Sequence, residues 1–388
     1  MEDKNIFPQG LTYDDILLIP GYTDFSRSDI NLKSKVSKNI EIEIPFVSAP
    51  MDTVTESELA ITLAQNGGIG IIHRNLSVEN QASEVEKVKT HSAGSGQKLL
   101  VGAAIGVSDG YKLRLEALIK AGTDLVVLDS AHGWTNKFIE TLSFIKNTYP
   151  KIDVIVGNIA TYDAAEDLCK AGADGLRVGM GPGAICTTRI VSGMGVPQVT
   201  AIMETVRAAK KHDVPVIADG GIKYSGDMIK ALALGASTVM MGSYFAQTEE
   251  SPGEVFDLKR EEVPSRFQSI FDNNLEKTFK FKSYRGMGSE GAMSDGAKIK
   301  SEDEFHGKSY GDKVLVAEGV EGMVPVRGSV GELLDQSIGG IKSGMFYIGA
   351  KDINELQKKA KFIQITQASL TESHPHGMIV NNTGKSYS

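Results

Sequence analysis

Cysteine and long apolar runs are both scarce in this sequence. Its 388 residues include only two cysteines, Cys169 and Cys186, which excludes a disulfide framework and favours a reducing compartment. No stretch approaches the roughly 20 apolar residues that a membrane-spanning helix needs. The opening MEDKNIFPQG also lacks the apolar centre of a signal peptide. We therefore expect a cytoplasmic protein with no membrane partner.

Basic residues are outnumbered by acidic ones. The chain has 41 Lys and Arg against 49 Asp and Glu, a net charge of −8. Because non-specific nucleic-acid binding requires a basic face, we expect no nucleic-acid partner. A local anion site built from backbone N–H groups stays compatible with this charge.

Two common signatures of cofactor and metal sites are missing. We find no G-x-G-x-x-G stretch where a strand leads into a helix, so a Rossmann-type dinucleotide site is not supported. Neither C-x-x-C nor H-x-x-x-H occurs, and HPH (374–376) is read as part of a polar tail.

The sequence does contain a repeated alternation of short apolar runs with segments of helical period, such as 161–174 and 225–236. This alternation indicates a parallel sheet covered on both faces. Eight units favour a (β/α)8 TIM barrel, with an open doubly wound sheet as the alternative. The eight runs are 44–52, 68–73, 98–106, 124–133, 153–161, 175–181, 214–221 and 237–243.

In a barrel of this kind, residues at the carboxyl ends of the strands gather at one mouth, where the active site lies. Interruptions of the repeat are also informative, because long loops in compact domains are often lids. We expect a short linker at 90–97, a glycine-rich loop at 179–200, an irregular flap at 250–325 and a polar tail at 366–388. The residues expected at the mouth are Met51, His73, Asp129, Asn158, Cys186, Asp219 and Gly242.

The turns after strands seven and eight predict a phosphate site. ADGGI (218–222) and MMGS (240–243) occupy the positions where (β/α)8 enzymes often bind phosphate, although their glycines also suit the start of a helix. Asp219 is placed to accept both hydroxyls of a ribose or to cap a helix. The same two interpretations apply to Asp129.

The loop GMGPGAICTTR (179–189) presents Cys186 in an unusual setting. Its glycines and proline prevent a regular buried element, so the thiol is more plausibly reactive than structural. Hydroxyls of Thr187 and Thr188 are available for proton transfer. Cys169, by contrast, lies in the helical pattern AAEDLCKAG and is predicted to be buried.

This loop, extended to VGMGPGAICTTRIVSGMGVPQ (178–198), resembles the catalytic loop of the IMP dehydrogenase and GMP reductase family. Similar motifs run through nearly the whole chain, among them LTYDDILLIP (11–20), SAPMDTVTES (48–57), SYRGMGSEGAM (283–293) and ESHPHG (372–377). The resemblance implies a single catalytic (β/α)8 domain over 1–388 that assembles as a homotetramer. It implies NAD-dependent oxidation of IMP to XMP, a step of guanine nucleotide biosynthesis.

The resemblance also implies a role for each matching residue. Cys186 would attack C2 of the purine as a nucleophile and form a covalent thioimidate, with Thr188 and Glu318 as a proton relay. The implied IMP ligands are Met51, Asn158, Asp219, Gly221, Gly242, Ser243, Tyr284, Met287, Gly288 and Glu318. The implied NAD ligands are Asp129, Ser130 and Gly179. Potassium would be held by Gly181, Gly183 and Cys186, and by Glu372, Ser373 and His374 of a neighbouring subunit.

Three features depart from the family pattern. The stretch 90–97 is too short for the CBS domain pair that most members carry there. Ala184 replaces a serine that contacts phosphate, a loss of roughly 1.5–3 kcal/mol if nothing compensates. EDEF (302–305) stands where Asp-Arg-Tyr-Phe is usual, and no arginine occurs between Arg285 and Arg327.

The missing arginine leaves the base for hydrolysis open. The Thr188–Glu318 relay is one candidate, and His306, Lys308 and Tyr310 of the flap are others. It also keeps GMP reductase, which uses NADPH and releases ammonia, as an alternative function. A weakly active paralogue that only binds purine nucleotides is a third possibility, which the intact Cys186, Thr188 and Glu318 set disfavours.

Overall fold

Eight short runs of Val, Ile, Leu and Ala form the strands of a closed parallel barrel in the computed structural model, which describes residues 7–268, 278–299, 304–305, 308–309 and 316–378. Each strand pairs with its neighbour in sequence, and the last pairs with the first. The predicted (β/α)8 barrel is confirmed, and the doubly wound alternative is wrong. The strands are β1 (Phe46–Ser48), β2 (Ile69–Ile72), β3 (Val101–Ile105), β4 (Leu125–Asp129), β5 (Asp153–Ile159), β6 (Gly175–Val178), β7 (Val216–Asp219) and β8 (Thr238–Met241).

Helices cover the outside of the barrel. The eighth lies between the seventh and the first and so completes the ring. The barrel helices are α1 (Ser57–Gln65), α2 (Val78–Ser95), α3 (Tyr111–Ala121), α4 (Asn136–Thr148), α5 (Tyr162–Lys170), α6 (Gln198–Ala209), α7 (Ser225–Ala233) and α8 (Val330–Ile348).

Alternation of side chains along each strand produces two apolar layers. Val127 of β4 packs inside the barrel, whereas Val126 and Leu128 on either side of it face the helices. Cys169 on α5 belongs to the outer layer and is buried, as predicted. Because both faces of every strand are covered, the sequence shows continuous apolar runs.

The region after β8 is more regular than predicted. β9 (Val255–Lys259), β10 (Thr278–Arg285) and β11 (Glu321–Pro325) form an antiparallel accessory sheet with β10 in the centre. Alternating Phe279 and Phe281 of β10 pack with Val263 as a small separate core. That alternation in TFKFK is the sequence signal that an irregular flap would not show.

The expected linker at 90–97 is largely helical. α2 continues to Ser95, and Gly96 ends it with a φ of +71°. Ser92 then accepts a hydrogen bond from the Leu99 backbone N–H at 2.9 Å. No strong helix breaker precedes Gly94, so the helix absorbs the small residues that suggested a linker.

The remaining elements frame the barrel. Ile16–Leu18 pairs antiparallel with Phe362–Gln364, so the two ends of the described chain meet. No helix of the described ranges is long and apolar enough to cross a membrane. Ser34–Lys35 pairs with Glu41–Ile42, and Glu304–Phe305 pairs with Lys308–Ser309. Short α-helices lie at Thr188–Val191, Ser243–Ala246, Ser265–Gln268, Glu290–Lys298, Ile353–Lys359 and Gln367–Glu372, and 3-10 turns at Tyr13–Asp15, Arg27–Asp29, Lys210–His212 and Arg260–Glu262.

Candidate active site

A cavity of about 1070 Å³ opens at the carboxyl ends of the barrel strands. This is the end at which (β/α)8 enzymes carry their active sites. The predicted site residues that line it are Met51, Asp129, Ser130, Asn158, Gly179, Gly181, Gly183, Cys186, Thr188, Asp219, Gly221, Gly242, Ser243, Tyr284, Met287, Gly288 and Glu318.

Two groups of predicted residues lie outside the cavity lining. His73 is the first residue after β2, and its ring is buried. Its Nε2 atom lies 3.3 Å from Glu56 Oε1, and its Nδ1 atom accepts the Asn75 N–H at 3.1 Å. The prediction that His73 helps to form the mouth is therefore wrong. Glu372, Ser373 and His374 are exposed in a single chain, and the His374 ring lies 6.5 Å from that of Tyr224.

The Cys186 thiol is half-buried and donates to Thr188 Oγ1 at 3.2 Å. Its loop is fixed by the segment that precedes β11. Cys186 pairs with Gly319 as an antiparallel bridge, and the Thr187 N–H donates to Glu318 O at 3.0 Å. The nucleophile candidate and the Glu318 segment therefore form one connected unit.

Arg189 holds together the two ends of the loop that carries Cys186. Arg189 donates from Nη2 to Val196 O at 2.9 Å, and its chain lies across Gly181. A Cβ atom at Gly181 would approach Arg189 Cγ to 2.7 Å, and the φ of +81° there also favours glycine. Met180 pairs with Val196 and closes the loop at its start.

A buried chain of opposite charges crosses the mouth. Arg177 of β6 donates from Nε to Asp219 Oδ2 at 2.9 Å and from Nη1 to Asp129 Oδ1. Asn158 Nδ2 donates to the same Asp219 oxygen at 2.7 Å, and Arg74 Nε lies 3.4 Å from Asp129 Oδ2. Burial alone lowers the pKa of Arg177, but the two carboxylates outweigh it and raise the pKa.

The structure excludes one of the two interpretations of each carboxylate. Neither Asp129 nor Asp219 caps a helix, because α4 begins after Thr135 and α7 after Tyr224. The sequence prediction missed Arg177, although a charged residue inside the apolar run GLRVGMG was a visible signal. A buried cation that pairs two carboxylates orients both of them toward the cavity.

The predicted phosphate end of the cavity is built from backbone and hydroxyl donors. A Cβ atom at Gly242 would lie 2.9 Å from both Tyr284 Oη and Met51 Sδ, so only glycine leaves this space open. Burial raises the pKa of Tyr284, and the nearby Asp219 raises it further. The phenol therefore stays protonated and available as a donor beside Ser243.

The loop that carries Met287 is tied to the turn after β1. Arg285 donates from Nη2 to Asp52 Oδ2 at 2.7 Å, and Asn75 Nδ2 donates to the same oxygen at 2.8 Å. The Asp52 backbone N–H points at Met287 Sδ, 3.4 Å away. Asp52 and Arg285 were not predicted as site residues, although both lie inside the quoted family motifs.

One stretch contradicts the statement that no G-x-G-x-x-G joins a strand to a helix. GMGSEG (286–291) lies between β10 and the helix Glu290–Lys298. Its strand is antiparallel, however, and Glu321 Oε1 accepts the Gly291 N–H at 2.7 Å. A carboxylate thus occupies the helix start that a pyrophosphate would need, so a Rossmann-type site remains unsupported.

Lys282 of β10 joins the accessory sheet to the chain after β8. Its buried ammonium donates to the carbonyl oxygens of Thr248, Glu249 and Ser251 at 3.0, 2.6 and 2.6 Å. Burial lowers the pKa of Lys282, and Glu58, Glu250 and Glu249 partly oppose this. This contact holds the accessory sheet against the barrel mouth.

Comparisons with known proteins agree with this architecture. A family model described as IMP dehydrogenase / GMP reductase domain matches residues 10–376. The inosine-5'-monophosphate dehydrogenase of Borreliella burgdorferi is 42% identical over 417 residues, covering 96% of this chain and 98% of that protein. The enzymes of that name from Cryptosporidium parvum and Chlorobaculum parvum are 42% and 38% identical, and each alignment covers all of this chain and at least 99% of the relative.

Proposed function

The chain belongs to the IMP dehydrogenase / GMP reductase family, and we propose that its cavity oxidises IMP to XMP through a covalent bond to Cys186. The observation that carries the proposal is the Cys186 thiol, 3.2 Å from Thr188 Oγ1, inside a cavity that also holds Asp219 and Ser243. Its relatives are inosine-5'-monophosphate dehydrogenases, so the chain is an NAD-dependent oxidoreductase.

IMP has three parts, and the cavity offers a matching group for each. Backbone N–H groups at Gly221 and Gly242 and the hydroxyls of Ser243 and Tyr284 suit the phosphate. The Asp219 carboxylate suits the two ribose hydroxyls, since Arg177 and Asn158 already fix its orientation. Met287 and Gly288 would hold the base, with Met51, Asn158 and Glu318 beside it.

The chemistry then divides into two steps. Cys186 gives up its thiol proton to solvent as Sγ forms a bond to C2 of the purine, and the hydrogen on C2 leaves with its electron pair. A bound NAD would supply the acceptor for that hydride. Water next attacks C2 and displaces the sulfur, which releases XMP and restores the thiol.

The second step needs a base that removes a proton from water. Thr188 Oγ1 lies 3.2 Å from the sulfur, and the Glu318 backbone carbonyl accepts the Thr187 N–H at 3.0 Å, which ties the Glu318 segment to the Cys186 loop. Of the other candidates, His306 and Tyr310 lie outside the described residues, as does the side chain of Lys308. We assign the base role to Thr188 with Glu318.

Asp129, Ser130 and Gly179 would hold the NAD. The Asp129 carboxylate is suited to this role. It contacts Arg177 and Arg74 on one side, and on the other it lines the cavity. An oriented carboxylate of this kind suits the hydroxyls of a ribose. Arg177 thereby links the nucleotide end of the cavity to the cofactor end.

A monovalent cation and a homotetramer complete the proposal. Carbonyl oxygens of Gly181, Gly183 and Cys186 are hard ligands that suit potassium. The Gly183 carbonyl accepts the Cys186 N–H at 3.1 Å, which leaves its second lone pair for the cation. Because the exposed Glu372–His374 segment does not line the cavity of its own chain, a neighbouring subunit would supply it.

The single-domain organisation belongs to the same proposal. The alignment with the Chlorobaculum parvum relative runs over 510 positions, although this chain has 388 residues, so that protein has inserted sequence. The alignment with the Cryptosporidium parvum relative is shorter, at 425 positions, and covers the full length of both chains. We place the missing insertion, the CBS domain pair, at the α2–β3 connection, and a cytoplasmic location follows from the cysteine content.

A nicotinamide absorbance assay tests the function. The purified protein is mixed with IMP and NAD, and separately with GMP and NADPH, in potassium chloride and in sodium chloride. We expect NADH only in the first mixture and a faster rate with potassium. Loss of NADPH in the second mixture alone would establish GMP reductase instead, and silence in both mixtures would favour a nucleotide-binding paralogue.

A further inference from the structure

A cation that no sequence motif singled out lies on the cavity wall. Arg327 follows β11 and lines the cavity together with Gly242, Ser243 and Tyr244. It lies in the loop that joins β11 of the accessory sheet to α8. The family resemblance assigned it no role.

The backbone of Arg327 is held close to the turn after β8. Its N–H donates to Gln247 O at 2.8 Å, and Gln247 Nε2 donates to Ser243 O at 2.8 Å. The next residue, Gly328, accepts the Glu249 N–H at 3.0 Å. These bonds tie the Arg327 backbone to Gln247, which ends the short helix that begins at Ser243.

Arg327 shares the cavity wall with residues of the turns after β7 and β8, among them Tyr224 and Ser243. Its electrostatic neighbours are the hydroxyls of Tyr244, which follows β8, and Tyr224, which follows β7. Burial lowers the pKa of Arg327, although a guanidinium stays charged at any physiological pH. A partly desolvated cation beside a cavity gains stability when an anion enters.

One other charged donor, Lys223, lies in the turn after β7, but its exposed ammonium already pairs with Asp14 Oδ2 at 3.1 Å. Backbone N–H groups, Ser243 and Tyr284 supply hydrogen bonds, and Ala184 has no hydroxyl to add. Glu332, an acidic neighbour on the same wall, already accepts the Ser329 N–H at 3.2 Å. The Arg327 guanidinium would therefore add a positive charge to the neutral hydroxyl and backbone donors of these two turns.

We propose that Arg327 binds the 5'-phosphate of the nucleotide as its charged ligand, which rests on the proposed IMP site. A guanidinium matches a phosphate through two parallel hydrogen bonds. The dianion is thereby held by one cation, two hydroxyls and the backbone of both turns. Nucleosides that lack the phosphate gain nothing from Arg327.

The test compares Arg327→Gln and Arg327→Lys with Arg207→Gln, a surface arginine on α6 whose side chain is 63% exposed. Binding of IMP and of inosine is measured by calorimetry without NAD, and KM and kcat in the absorbance assay. In Arg327→Gln we expect IMP affinity to fall at least about 10-fold, the loss of one charge-assisted hydrogen bond. Inosine affinity and kcat stay within twofold, Arg327→Lys recovers part of the loss, and Arg207→Gln has no effect.

Inorganic phosphate provides a second probe that does not depend on the base or the ribose. It competes with IMP in the wild type, and its inhibition constant rises in Arg327→Gln. An unchanged IMP affinity, or equal losses for IMP and inosine, would overturn the proposal. Because binding is measured without turnover, an inactive wild type would count against IMP oxidation but not against the phosphate contact.

Discussion

Arg177 Nε and Asp219 Oδ2 lie 2.9 Å apart in the buried centre of the barrel mouth. The same guanidinium also reaches Asp129, so one residue of β6 fixes the carboxylates assigned to substrate and to cofactor. Binding at either carboxylate therefore meets an oriented group and needs little reorganisation.

Replacing Arg177 with Gln should be severe. Two buried carboxylates would lose their cation, and breaking a buried pair in this way typically costs about 3–5 kcal/mol. We expect a loss of that size in the free energy of unfolding, measured by urea denaturation, and higher KM values for both IMP and NAD. Arg207→Gln on the surface should change stability by less than about 0.5 kcal/mol, and an equally small change in Arg177→Gln would disprove the bridging role.

Replacing Cys186 with Ala should abolish NADH formation and leave IMP binding intact, because the sulfur forms the bond to C2 while other groups hold the nucleotide. The absorbance assay and calorimetric titration with IMP separate these two results. Cys169→Ala is the matched control, since that thiol is buried in α5 away from the cavity. Turnover that survives in Cys186→Ala, or is lost in Cys169→Ala, would contradict the assignment.

Replacing Thr188 with Val should separate the two chemical steps. If Thr188 acts in hydrolysis, the first turnover still yields one NADH per active site, and the following steady state slows by about 10²–10⁴-fold. Rapid-mixing absorbance measures both phases. Equal loss of the burst and the steady state would mean that Thr188 serves the attack of Cys186 instead.

Replacing Arg285 with Gln should loosen the Met287 loop. Asp52, whose side chain is only 7% exposed, would lose its cation, and the loop it positions would lose a fixed anchor. We expect KM for IMP to rise more than kcat falls. Asp295→Asn is the control, because Asp295 touches the same guanidinium from the exposed side at 3.0 Å, where ion pairs contribute little; equal effects of both variants would refute the anchoring role.

Stability should fall at alkaline pH because of Cys169. Burial raises the pKa of this thiol from 9.0 to about 11. Between these pH values the unfolded chain releases a proton that the folded chain keeps. The contribution of Cys169 to the free energy of unfolding is therefore fully present below pH 9 and is lost as the pH rises toward 11. Urea denaturation of the wild type and Cys169→Ala across pH 8–11 should give curves that diverge, and parallel curves would contradict the prediction.

Patterns along the sequence were sufficient for the barrel because each strand is apolar on both faces and each is followed by a helix. They were also sufficient to bring Asp129, Asn158, Cys186 and Asp219 to one mouth, since strand ends converge by geometry. Contacts between residues distant in sequence were not predictable in this way. The Asp52–Arg285 pair joins positions 233 residues apart, and no local pattern encodes such a partner.

His73 and the stretch 90–97 show the opposite limit, where a local pattern was present but misleading. His73 ends an apolar run as the other mouth residues do, yet its ring turns to Glu56 once the chain leaves β2. The small residues of 90–97 suggested a linker, but the helix that starts at Val78 continues through most of them. In both cases the packing of neighbouring segments decided the outcome.

Three carbonyl oxygens surround the Lys282 ammonium, as carbonyl oxygens surround a bound monovalent cation. Here the positive charge belongs to a side chain of the protein. The chain after β8 therefore takes its shape from a tethered charge and has no need of a dissolved ion. Exchanging potassium for sodium leaves this anchor unchanged. Any response of the enzyme to that exchange must therefore originate elsewhere in the molecule, and the carbonyl groups of the Cys186 loop are the place to look for it.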